Sequence, residues 1–119
     1  MAQWRKVRVG AITYRIVLVT VEEYPSIEGK DAETDFEHAT IRIRRDIAPE
    51  RFAGALLHEL LHACLEASTA HTQLERIGRK RWNAAAEEDI VRAIESTLTG
   101  PLVQLGWRPA PRLRKPKAE

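Results

Sequence analysis

The stretch from about residue 49 to 67 constrains this chain more than any other. Pro49 suits the first position of a helix, where its missing N–H is not needed, and Glu50 suits the positive helix end. Beyond them Leu56, Leu57, Leu60, Leu61, Cys64 and Leu65 cover most of a helix's circumference. A helix that apolar is expected to be buried rather than laid on a surface. Cys64 reads as one of its small buried hydrophobes; a reactive thiol would need a partnered histidine and a lowered pKa.

The remainder must supply what covers that helix. Residues 7–20 are rich in β-branched and aromatic side chains, with Gly10 between two runs, which predicts a strand, a tight turn and a second strand. Residues 21–35 hold Pro25, Gly29 and many acids and read as loop. In 38–46, Ile41 and Ile43 alternate with Arg42 and Arg44, the period-2 pattern of a half-buried strand. Residues 68–82 suit at most a short amphipathic helix through Leu74, Ile77 and Trp82. From Ala84 to about Val103 a second helix is expected, with Ile90, Val91, Ile94 and Leu98 as its apolar stripe and Gly100-Pro101 as a break or kink. The order strand, strand, strand, helix, helix predicts an α+β domain: a small three-stranded, mostly antiparallel sheet packed on two helices. A chain of 119 residues accommodates one such core, placed here in residues 1–108. The basic, proline-rich tail 109–119 is expected to be disordered.

His58, Glu59 and His62 interrupt the apolar helix, and burying three polar side chains is costly unless something pairs with them. Their spacing, His-Glu-Leu-Leu-His, is the HExxH pattern. Residues four apart on a helix stand on one face, about 6 Å apart, so both imidazoles reach one zinc ion at ~2.0–2.1 Å. Glu59, offset by one residue, projects to the side, where it can hold a water beside the ion. Zinc lowers that water's pKa towards ~7, and the Glu can then accept its proton. The competing reading leaves His58 and His62 hydrogen-bonded at a partly exposed edge, with no metal.

A tetrahedral site needs a third protein ligand. A metzincin would carry Gly at position 65 and His at 68; Leu65 and Ser68 exclude that class. Glu66 lies eight residues beyond His58, about 12 Å along the axis, too far for one ion. His71 serves only if the chain folds back. The second helix offers Glu87, Glu88 and Asp89, which the helix dipole alone would also favour in a first turn. On a helical wheel Glu87 lies near the middle of the apolar stripe and Glu88 at its margin, which favours Glu87.

The stretch from Ile41 to Leu65, a basic strand followed by Pro-Glu-Arg and Ala-Leu-Leu-His-Glu-Leu-Leu-His-Ala, resembles the small phage- and prophage-encoded gluzincin-type metallopeptidases. These are minigluzincin-like proteins, related in plan to SprT-like proteins. Glu-Glu-Asp-Ile-Val-Arg-Ala-Ile (87–94) resembles their second helix. The likeness covers roughly residues 38–66 and 85–105. It implies a zincin-like fold, a zinc ion held by His58, His62 and Glu88, and catalysis by Glu59. It thus selects Glu88 where the wheel favours Glu87. It also implies that an edge strand beside the site pairs with extended substrate, for which strand 39–45 is the candidate.

The expected function is zinc-dependent hydrolysis of peptide bonds, in a cytoplasmic phage-type protein. The alternative is a non-catalytic, zinc-stabilised module that contacts a protein or nucleic acid. A net charge of +2 excludes a strong polyanion binder, which leaves the basic ends, such as Arg5, Arg8 and Arg112, as the nucleic-acid contact. A single cysteine excludes an internal disulfide and fits a reducing compartment. Residues 1–10 lack the apolar core of a signal peptide, and no run reaches the ~18 apolar residues of a membrane span. His38, Tyr14 and Tyr24 are further candidates for polarising a substrate carbonyl. Trp4, Trp82 and Trp107 read as packing anchors.

Overall fold

The structure, a computed structural model, describes residues 2–68 and 84–110. Among the described residues it is an α+β fold of four strands and two long helices: β1 (Ala2–Val9), β2 (Ile12–Val19), β3 (Ala32–Asp35), β4 (Thr40–Arg44), α1 (Pro49–Ala67) and α2 (Ala84–Gln104). The sheet order is β1-β2-β4-β3. β1–β2 and β3–β4 are antiparallel, whereas β2–β4 is parallel. The expected hairpin is present, and its turn uses Gly10 at a φ of 60°. That left-handed conformation is one glycine adopts without steric cost.

The sheet has one strand more than expected, because residues 32–35 form β3 rather than loop. Ala-Glu-Thr-Asp has little strand propensity of its own. Its partner β4 supplies the reason. Arg42 bonds Glu33 at 3.3 Å and Asp35 at 3.2 Å, and its guanidinium stacks 4.2 Å over the Tyr24 ring. Hydrogen bonds from the His38 ring and backbone, with Arg42 adding to them, hold the Asp35 carboxyl below its ordinary pKa. β3 is therefore a strand stabilised by cross-strand charge, which alternation of apolar residues does not reveal.

This extra strand also moves the open edge. β4 is paired along its length with β2 on one side and β3 on the other, so strand 39–45 has no edge left for another peptide. The strand ending the sheet beside the helices is β3.

Ile41 and Ile43 of β4, with Tyr14, Ile16 and Leu18 of β2, face Phe52, Leu56 and Ala63 of α1 in one core. Trp4 packs edge-on against Phe52 at 5.3 Å, and Trp107 also packs on this core, as anchors should. Trp82 lies outside the described residues. A smaller cluster of Val17, Val19 and Ile27 covers the opposite face of the sheet.

α1 begins at Pro49, as its sequence dictates, but it is not buried all round. Phe52 to Leu57 are largely covered, whereas Cys64 is exposed, contrary to its expected place in the core. α2 continues through Pro101 to Gln104, so Gly100-Pro101 does not end it. Of the short helix considered for 68–82, residues 69–82 lie outside the described residues, as do residues 111–119 of the tail expected at 109–119.

Gly54 sits inside α1, where glycine costs about 1 kcal/mol relative to alanine. A Cβ there would meet the Glu95 carboxylate, Oε1 at 3.5 Å and Cδ at 3.9 Å, both ordinary contacts. Gly54→Ala is expected to stabilise the chain by about 0.5–1 kcal/mol, read as a higher urea midpoint at constant slope.

Candidate metal centre

α1 packs across the sheet and α2 packs along α1, and the side chains of interest converge where α1 meets α2 and β3. They line a cleft of about 630 Å³. His58 and His62, one helical turn apart, have ring centroids 5.0 Å apart at an interplanar angle of 62°. Both present Nε2 to the same carboxylate. Glu88 Oε1 lies 2.9 Å from His58 Nε2, and Glu88 Oε2 lies 2.9 Å from His62 Nε2.

One ligand atom from each of His58, His62 and Glu88 falls within 4.8 Å of the others. Ligand atoms around a tetrahedral zinc at ~2.0–2.1 Å stand about 3.3 Å apart, so small shifts suffice to admit an ion. Two imidazole nitrogens and one carboxylate oxygen are donors that zinc accepts. These three residues form a possible metal site, and Glu88 rather than Glu87 shares it with the histidines. The wheel favours Glu87, and its side chain is the less exposed of the two, 16% against 34%. Glu87 and Glu88 stand four and three residues before Val91, the buried position of α2, so both turn inward, and contact rather than helix face separates them: Glu88 meets Nε2 of both rings, whereas Glu87 meets Nδ1 of His62.

Glu87 lies on the other side of His62, with Oε2 at 2.6 Å from Nδ1. Glu95 Oε1 stands 3.7 Å from His58 Nδ1, an ion-pair distance too long for a hydrogen bond. Although burial works the other way, the charges of His58 and His62 hold the Glu88 carboxyl below its ordinary pKa. Arg92, one turn further along α2, adds to this through its 3.2 Å contact with Glu88 Oε1.

Glu59 is only 7% exposed, a rare state for a carboxylate, yet it lines the same cleft. Thr34 of β3 donates its hydroxyl to Glu59 Oε1 at 3.0 Å. Burial raises the Glu59 pKa, against the pull of His58, of Thr34 and of His62. Thr34 and Glu95 were missed by the sequence reading. Glu95 had a signal, since it stands seven residues from Glu88 and so shares its helix face. Thr34 had none, because it lies in a strand that reads as loop.

The other candidates fall away from the cleft. Tyr14 is 1% exposed within the core; burial, then Glu66 and Cys64, raise its phenol pKa. Tyr24 lies under Arg42 on the opposite side of the sheet. His38 is exposed in the β3–β4 turn and bonds Asp35 at 2.9 Å. His71 lies outside the described residues.

Among the described residues no helix is long and apolar enough to cross a membrane. No protein-family model matches the chain, and neither does any curated protein sequence or any solved structure.

Proposed function

We propose that this chain is a zinc-dependent metallopeptidase of the gluzincin type with a zincin-like fold. The observation that carries the reading is the convergence of His58, His62 and Glu88 to within 4.8 Å, with the buried Glu59 carboxylate facing the same cleft. A bound zinc would supply Lewis-acid polarisation of the scissile carbonyl and lower the pKa of a water. Glu59 is the general base. Thr34 holds its Oε1, which leaves Oε2 to take the water's proton and deliver it to the departing amine. A pKa raised by burial makes this carboxylate a stronger base than an exposed one.

The substrate is an extended segment of protein, which adds as a strand to β3. Support for this comes from Ala32, Glu33 and Thr34 of this edge strand, which line the cleft together with His58 and Glu59. Phe36, 41% exposed and also lining the cleft, offers an apolar contact for a substrate side chain. A single cysteine, exposed and free, suits a reducing compartment such as the cytoplasm.

A second reading, a zinc-stapled binding module, draws on one observation. The Glu59–Thr34 bond ties α1 to β3, which is a structural service in itself. Turnover separates the two. Zinc-loaded protein incubated with unfolded casein is expected to release fragments on a gel, to stop when a chelator is added, and to resume on readdition of zinc. Intact casein at stoichiometric zinc occupancy favours the binding module.

A further inference from the structure

The same cleft holds a contact that metal ligation alone does not require. Glu87 Oε2 lies 2.6 Å from His62 Nδ1, the ring nitrogen turned away from the ligand cluster. The two side chains are 14% and 16% exposed, so water competes little for the contact. A carboxylate only accepts hydrogen bonds, so in this structure Nδ1 donates to Glu87 and Nε2, 2.9 Å from Glu88, donates as well. A histidine that ligates a metal gives up the proton at the ligating nitrogen, and the Glu87 contact keeps the remaining proton on Nδ1, leaving the lone pair to Nε2. Consecutive residues of α2 thus serve the two nitrogens of one ring.

We propose that Glu87 is a positioning residue for the metal centre: by accepting the His62 Nδ1–H it fixes the tautomer and the ring plane that present Nε2 to the ion. The proposal rests on the metal-site reading above. Carboxylates bonded to the far nitrogen of a ligating histidine orient the ring and raise its basicity, and their loss weakens metal binding by about 10–100-fold. Glu95 stands on the far side of His58 in the same sense, but at 3.7 Å it makes no hydrogen bond. The ring held most firmly is therefore that of His62.

The test is the zinc dissociation constant of the wild type, Glu87→Gln and Glu87→Ala, measured by competition with a chromophoric chelator. Circular dichroism of each metal-free protein checks its fold. Both variants lose the same charge, but the glutamine carbonyl can still accept the Nδ1–H. Glu87→Ala is expected to bind zinc about 10–100-fold more weakly, with Glu87→Gln between it and the wild type. In the proton NMR spectrum of the zinc form, a slowly exchanging His62 Nδ1–H signal is expected in the wild type and Glu87→Gln but not in Glu87→Ala. This signal keeps the proposal open to test even where the alanine variant folds poorly. Zinc binding by Glu87→Ala within twofold of the wild type overturns the proposal. So does equal weakening in both variants, which would mark a general charge effect. A folded wild type that binds no zinc overturns the metal-site reading itself, and the role of Glu87 with it.

Discussion

Glu59→Gln is expected to keep its zinc and its fold while peptide hydrolysis falls by about two to four orders of magnitude. The substitution preserves shape. The Thr34 hydroxyl, now 3.0 Å from Glu59 Oε1, can donate equally well to a glutamine carbonyl. What disappears is the ability to take a proton at the other terminal atom. Folding stability should not suffer, since a neutral amide replaces a buried carboxyl whose charged form burial disfavours. Rates of casein cleavage, zinc content and the urea midpoint, taken on one preparation, read all three effects. Unchanged cleavage with zinc in place would remove Glu59 from the chemistry.

His62→Ala is expected to have the largest effect on the metal. It removes one of the three proposed ligands and leaves Glu87 and Glu88 facing a space that His62 had filled. Neighbouring carboxylates without their cationic or metal partner repel. The zinc dissociation constant should rise by more than about a hundredfold, beyond what loss of an outer partner causes. The linked readout is thermal. Zinc at a hundred times its dissociation constant stabilises the wild type by about 2.7 kcal/mol, and the variant should show little of that shift. A variant that still melts higher with zinc, by the wild-type increment, would place the ion elsewhere.

Much of this site was legible in the sequence, for local reasons. The helical period alone decides that His58 and His62 share a face and that Glu59 stands beside them. A strand of alternating Ile and Arg announces β4, and Gly10 between two β-branched runs announces the β1–β2 hairpin. The errors all concern partners distant in the chain. β3 is polar, and only Arg42 of the neighbouring strand gives its acids a reason to be ordered. Because β3 was not foreseen, β4 was given the open edge that β3 in fact holds. A helical wheel cannot separate Glu87 from Glu88, because both turn towards α1 and what divides them is which ring nitrogens each carboxylate meets. Cys64 is exposed, since being apolar in type does not place a residue against the core. Such outcomes are decided by packing, which a helical wheel drawn on one element cannot contain.

A zinc centre built by His58, His62 and Glu88 underlies the proposed hydrolysis. The most direct measurement is the zinc content of the purified chain after dialysis against buffer containing the metal, with His58→Ala treated alongside. Close to one zinc per chain in the wild type, and little in the variant, is the expected result. A well-folded wild type that takes up no zinc would contradict the metal centre and the hydrolytic function built on it.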